Sequence, residues 1–219
     1  GPLRKWDYAA SHRPTYVIAN STHIKNNIKK YYGRSAEVIH PPVDIERFDT
    51  PNINHERSGF VTIGRQTPYK RTDIIVDACT SLNLPLTVLG GGPEHENLKK
   101  RAGDTVTFLY NPSDEAVEQT LAESAAFIFA AEEDFGITPV EAMAAGLPVI
   151  AYKAGGALDY VNRHTGAFFV KQTPESLASA LRKFKTRNYN EPELKKQAAK
   201  FSTVIFKKKI QQFITSKIN

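Results

Sequence analysis

Two cations stand five residues apart in Gly64-Arg65-Gln66-Thr67-Pro68-Tyr69-Lys70, directly after the apolar run Phe60-Val61-Thr62-Ile63. A guanidinium can grip a phosphate through two parallel hydrogen bonds, and an ammonium adds a point charge. Hydrogen bonds to charged groups contribute about 1.5–3 kcal/mol each. The same pair on an open surface would only be solvated. Its place at the end of a strand points instead to an anion held above a sheet, with both cations directed into the crevice.

A second constellation is Glu133-Asp134-Phe135-Gly136-Ile137-Thr138-Pro139-Val140-Glu141, followed by Ala142-Met143-Ala144-Ala145-Gly146. It runs from a strand through a tight loop into a helix. Gly136 permits close backbone approach. The amides near Ile137 and Thr138 fall at the helix start, where they lack intrahelical acceptors and the macrodipole favours an anion. Glu133 before the loop and Glu141 in the first helical turn can bracket one ligand. Thr138-Pro139-Val140-Glu141 is equally a capping box with Pro at the first helical position. Capping alone would account for Glu141, and an exposed acidic turn for Glu132-Glu133-Asp134. Neither explains why an acidic run, a glycine and a helix start stand together. Ala154-Gly155-Gly156 and Gly90-Gly91-Gly92-Pro93 add two more glycine loops. The latter lacks the Gly-x-Gly-x-x-Gly spacing of a dinucleotide site.

The elements that must position these residues alternate. Short apolar runs at Phe60–Ile63, Leu86–Leu89, Val106–Leu109, Ala126–Phe129, Val149–Ala151 and Ala167–Val170 read as strands. Thr72–Leu82, Pro93–Arg101, Ser113–Ala122, Pro139–Ala145 and Ala157–Asn162 read as the helices between them. Pro174–Phe184, Pro192–Ala199 and Thr203–Ile214 read as closing helices. Such alternation means β-α-β units, and hence an α/β domain with a doubly wound, buried parallel sheet over residues 58–200. Ligands of such sheets bind beyond the carboxyl ends of the strands, where Arg65, Tyr110-Asn111, Glu133 and Gly155-Gly156 all fall. Earlier in the chain, Tyr16–Ala19 and Glu37–Ile39 read as short strands and Thr22–Tyr32 as a helix stopped by Gly33. Residues 41–57 are rich in turn formers and read as a linker.

Composition narrows the partners. The chain has 219 residues and a net charge of +6, with 29 Lys and Arg against 23 Asp and Glu. That balance favours phosphates, nucleic acid or an anionic membrane surface. Basic residues are not interleaved with aromatics along one face, which argues against nucleic acid. One cysteine, Cys79, forbids an internal disulfide framework, points to a reducing compartment, and sits on an apolar helix face as a small core residue. The six histidines, His12, His23, His40, His55, His95 and His164, are scattered and read as surface or loop residues, so no metal site is expected from them. No Asp-x-Asp motif is present. Gly1-Pro2, without a leading Met, reads as the remnant of a protease-cleaved tag, and native sequence is expected to be missing before residue 3.

In order along the chain, Gly64-Arg65-x(4)-Lys70, Leu89-Gly90-Gly91-Gly92-Pro93-Glu94, Glu133-Asp134-Phe135-Gly136-x(4)-Glu141-Ala142-Met143-Ala144, Gly146-Leu147-Pro148-Val149-Ile150-Ala151 and Gly155-Gly156 resemble the C-terminal, donor-binding half of a GT-B retaining glycosyltransferase of family 4. The glutamates fit that family's E-x(7)-E pattern. Arg4-Lys5-Trp6-Asp7-Tyr8, Ala19-Asn20-Ser21 and Val38-Ile39-His40-Pro41-Pro42-Val43-Asp44 are similar to the interdomain region of bacterial mannosyltransferases that build surface polysaccharides. The position before the acidic motif departs from the family, with Ala130-Ala131 where Pro-Ser is frequent.

The resemblance implies one half of a GT-B fold. Residues 3–57 would then end an N-terminal domain and link it to the donor domain, 58–200, and residues 201–219 would form a helix crossing back. It implies that Gly64, Arg65 and Lys70 hold the donor diphosphate, and that Glu133 lies close to the donor sugar. The amides of Phe135 and Gly136 would meet sugar hydroxyls, those of Ile137 and Thr138 the distal phosphate. Glu141 would bond the ribose, and Tyr110 with Asn111 would lie near the base. Arg65, Lys70 and a helix start would replace a metal as fixed electrostatics, so no cofactor beyond the nucleotide diphosphate-sugar is expected. The donor expected is GDP-mannose. Partners expected are that donor, an absent N-terminal acceptor-binding domain and an anionic membrane, met by Lys207-Lys208-Lys209 at its cytoplasmic face. A non-catalytic nucleotide- or phosphate-binding module, keeping Arg65 and Lys70 without dependence on Glu133, stays open beside it. A GT-B epimerase is a related alternative. A phosphorylase is disfavoured, since no pyridoxal-lysine signature is present.

Overall fold

A computed structural model of the chain describes residues 1–48 and 56–218. It begins with a helix, α1 (Pro2–Ser11), and a small unit, β1 (Ile18–Ala19), α2 (Thr22–Tyr32) and β2 (Glu37–Val38), whose two strands pair in parallel. Ser21 Oγ accepts a hydrogen bond from the Ile24 amide at 3.1 Å and caps α2. Gly33, with φ of 69°, ends it in the left-handed region. The expected helix bounds hold at both ends. The strand expected from Tyr16 shortens to two residues, and α1 was not foreseen: none of its residues is buried, so it has no core face for a pattern to mark.

The main sheet follows. Its elements are β3 (Phe60–Ile63), α3 (Thr72–Ser81), β4 (Leu86–Leu89), α4 (His95–Arg101), β5 (Val106–Leu109), α5 (Asp114–Glu123), β6 (Ala126–Phe129), α6 (Thr138–Ala144), β7 (Val149–Tyr152), α7 (Ala157–Tyr160) and β8 (Gly166–Phe169). Then come α8 (Pro174–Lys183), α9 (Glu191–Ala199) and α10 (Thr203–Ile218). Six parallel strands lie in the order β5-β4-β3-β6-β7-β8. This is the doubly wound, Rossmann-like α/β arrangement expected.

The sheet's two faces explain its strands. All four residues of β6 are buried, and they alternate between the two sides of the sheet. Phe127 and Phe129 join Val61, Val149, Met143 and Leu194 on one side. Ala126 and Ile128 join Val88, Ile74, Ile75 and Leu177 on the other. Cys79 is fully buried in that second layer, where burial pushes its thiol up to about 12.

Two findings change the reading of the segment before β3. Val43 and Phe48 are 1% and 2% exposed and belong to the core, so residues 41–48 are anchored rather than a free linker. The Val43 amide donates to Phe201 O at 2.9 Å, which ties this crossing to the segment before α10. Residues 49–55 of the expected linker, with His55, lie outside the described residues. At the other end, Phe213 on α10 meets Tyr16 edge-on at 6.2 Å, so the last helix returns to the N-terminal unit. Trp6 on α1 is 61% exposed. Among the described residues no helix is long and apolar enough to cross a membrane.

Candidate functional site

In this strand order successive strands are added outward in one direction from β3 and in the other from β6, the two parallel strands paired at the centre. The crevice of such a sheet opens beyond the carboxyl ends of those two strands. Gly64-Arg65 leaves β3 there and the acidic loop leaves β6 there.

Lys70 crosses the switch point. It lies in a short 3-10 turn, Pro68–Lys70, and its Nζ makes an ion pair with Glu133 Oε1. Both side chains are about four-fifths buried, at 21% and 19% exposure. A Cβ on Gly64 would lie 3.9 Å from Lys70 Cδ, so the lysine stem runs over the end of β3. The expectation that both cations point freely into the crevice is corrected on one side. Lys70 already has an anionic partner, because a carboxylate on the adjacent strand end lies within its reach. Arg65 is exposed, and its guanidinium has no partner among the described residues. It lines a cavity of about 450 Å³ together with Gly64, Gly91, Tyr110 and Asn111.

The acidic loop is clamped from below. The Gly156 amide donates to Glu133 O at 2.8 Å. A Cβ on Gly155 would stand 2.4 Å from Glu133 O, and one on Gly156 would stand 2.4 Å from Phe135 Cα. The Gly155-Gly156 loop therefore supports the acidic loop rather than merely flanking the crevice. Phe135 is buried, and its carbonyl accepts from Tyr160 Oη at 2.9 Å. Gly136 has φ of 84° and turns the chain into α6. The amides of Phe135, Gly136, Ile137 and Thr138 donate to no acceptor among the described residues.

The capping box does not form. Ile137, not Thr138, stands at the cap position with helical dihedrals of −74° and −44°, and no side chain caps α6. Thr138 is already inside the helix, so its hydroxyl cannot serve the cap. Capping therefore does not account for Glu141. That carboxyl is half-buried, and burial raises it above the ordinary range, with Arg47 opposing and Asp44 adding to the rise.

Several residues at the site had no sequence signal. Gln66 is fully buried: its Nε2 donates to Gly90 O at 3.0 Å and its Oε1 meets His95 Nδ1 at 2.8 Å. His40 Nε2 meets Asp159 Oδ2 at 3.0 Å, and its ring lies 5.5 Å from that of Phe135. The same Asp159 oxygen accepts the Thr22 amide at 2.8 Å, at the start of α2. His40 and His95 are thus ordered hydrogen-bonded residues, not idle surface ones. Each joins parts of the chain far apart in sequence, which local pattern cannot reveal.

Asp159 supports a pH-dependent prediction. Burial alone would raise its carboxyl, but the bonds from His40 and Thr22 outweigh it and hold it below the ordinary range. A folded value below the unfolded one means stability present above the unfolded value, near 3.9, and lost as pH falls through the folded value. The melting-temperature gap between wild type and Asp159→Asn should be full at neutral pH and close as pH drops below about 4. An unchanged gap in acid would refute this assignment.

Comparison with known proteins bears on the family and the fold. The family model described as glycosyl transferases group 1 matches residues 44–201. The chain is 27% identical over 174 residues to D-rhamnosyltransferase WbpZ of Pseudomonas aeruginosa, covering 72% of this chain and 46% of that protein. It is 28% identical over 192 residues to the GDP-mannose-dependent alpha-(1-6)-phosphatidylinositol monomannoside mannosyltransferase of Mycobacterium tuberculosis, covering 74% and 50%. Its fold matches that of Anabaena Alr3699/HepE, solved with UDP and glucose, at a TM-score of 0.84 and 22% identity over 98% of this chain and 67% of that one. The six-stranded parallel sheet and its flanking helices are those of GT-B glycosyltransferase structures. The chain spans about half the length of the curated relatives it matches.

Proposed function

We propose, since this chain belongs to the glycosyl transferases group 1 family, that its crevice binds the diphosphate of a sugar nucleotide. In the full-length protein the hexose would pass, with retention, to a glycan or lipid-linked acceptor. The chain would be the C-terminal, donor-binding part of a family 4 enzyme, with the acceptor held by a separate N-terminal domain.

The observation that carries this reading is the set of polar groups at the switch point. Lys70 bridges the loops that follow β3 and β6, Arg65 leaves the end of β3 with a guanidinium that has no partner among the described residues, and four unbonded amides lie on the loop after β6. Breaking a glycosyl–phosphate bond builds negative charge on the leaving diphosphate and positive charge on the sugar. Preorganised cations and amides stabilise the first without reorganising. The reading gives Arg65 and Lys70 that neutralising task, which elsewhere falls to a divalent cation. Glu133, bonded to Lys70, would face the sugar. The amides of Phe135 and Gly136 would take its hydroxyls, those of Ile137 and Thr138 the distal phosphate. Glu141, half-buried and unexplained by capping, would take the ribose. GDP-mannose is the donor proposed, supported by the GDP-mannose dependence of the mycobacterial relative.

Calorimetry on this chain with GDP, UDP, GDP-mannose and UDP-glucose tests the reading. Binding of the guanosine pair with at least tenfold preference is expected. The absence of binding to every nucleotide by the folded chain would overturn the donor site, and preference for UDP would overturn only the base and sugar. In the full-length protein, Glu133→Gln should abolish most transfer while leaving donor binding in place.

A further inference from the structure

Gln66 adjoins Arg65, yet it is fully buried and points the other way, toward α4. Its hydrogen bonds fix their own polarity. A carbonyl only accepts, so Gln66 must present its amide nitrogen to Gly90 O. Its Oε1 is left to accept, and His95 Nδ1 must carry the proton between them. The imidazole is thereby locked in orientation. Its ring then meets Tyr110 at 4.7 Å, inclined at 64°, and Phe108 edge-on at 5.5 Å.

Tyr110 is what this relay holds. It follows β5 and is 58% exposed at the wall of the 450 Å³ cavity that Arg65 also lines. Its ring edge occupies the place of a missing side chain: a Cβ on Gly91 would lie 2.7 Å from Tyr110 Cε2. The next residue, Asn111, has φ of 45°, so the backbone bends away immediately after the ring. A large aromatic that meets His95 and bare backbone and is still 58% exposed can serve as a stacking surface. An exposed tyrosine with no task would not need a buried glutamine to orient its neighbour.

We propose that Gln66 and His95 are positioning residues that hold Tyr110 as the platform on which the nucleobase of the donor stacks. The proposal rests on the donor-site reading above. Because Gln66 is chained to Arg65, one short segment would set both the diphosphate end and the base end of the site.

The test compares GDP with inorganic pyrophosphate, which has no base, by calorimetry on this chain. Base–aromatic stacking is worth roughly 5- to 150-fold in affinity. His95→Ala should weaken GDP by about that factor and leave pyrophosphate within about twofold, so pyrophosphate also reports that the fold is intact. Tyr110→Ala, at an exposed position, should show the same selective loss. The double variant should be no weaker than Tyr110→Ala alone, since His95 acts only through the ring. Equal loss for both ligands, no loss for GDP, or additive losses would each overturn the relay while sparing the donor site. If wild type binds neither GDP nor pyrophosphate, the donor site fails and the relay with it.

Discussion

Lys70→Ala is expected to weaken binding of nucleoside diphosphate by about 10- to 150-fold, the equivalent of losing one charged hydrogen bond of about 1.5–3 kcal/mol. The structure argues for the upper part of that range. Lys70 is paired with Glu133, and both side chains are largely buried. Removing the lysine takes away the cation and also leaves a carboxylate unpaired at the place proposed for the diphosphate. An uncompensated, largely buried charge is costly in itself, and at the proposed site it would repel the ligand as well.

The reverse substitution separates these terms. Glu133→Gln keeps a polar side chain of similar size and removes the negative charge. Lys70 would then have no competing partner, so GDP should bind more tightly than to wild type. The two changes should thus move affinity in opposite directions while both impair transfer in the full-length protein. If Glu133→Gln also weakened GDP, or Lys70→Ala left it unchanged, the ion pair would be a structural brace and Lys70 would have no part in holding phosphate.

Why the pairing itself was not legible follows from its span. Lys70 and Glu133 are 63 residues apart, and each is explained locally as a surface charge. The strands were legible because burial on both faces leaves an unbroken apolar run, as in Ala126-Phe127-Ile128-Phe129. Helix ends were legible where local chemistry sets them, at Gly33 and at Ser113, whose Oγ accepts the Ala116 amide at 3.3 Å. The capping pattern at Thr138 misled because the helix begins one residue earlier than the motif requires. Gln66 carried no signal at all: a polar residue in a loop predicts solvent, and only the fold shows that Gly90 and His95 surround it. That Arg65, Lys70 and the acidic loop each follow the end of a strand could be expected from the sequence. The loops that hold them in place could not.

Gly156→Ala should damage both the fold and the site, through contact rather than conformation. Gly156 has φ of −68°, which alanine adopts freely, so backbone strain is not the issue. Its added Cβ would lie 2.4 Å from Phe135 Cα and 2.6 Å from Asp134 O, and these are backbone atoms that cannot swing aside. The acidic loop would have to rise by roughly an ångström. Overpacking of this kind costs about 1–3 kcal/mol, or about 2–12 °C in melting temperature for a chain of this length. Misplacing site groups by about 1 Å can cost up to 100-fold, so GDP affinity should fall at least tenfold even in the folded population. Gly33→Ala is the matched control. Its φ of 69° makes the substitution strained, yet nothing lies within 4 Å of the new Cβ. It should cost about 1–2 kcal/mol and leave GDP affinity unchanged. A Gly156→Ala chain that binds GDP like wild type would show that the acidic loop's height above the sheet does not matter to the ligand, and the amides of Phe135 through Thr138 would lose their proposed role.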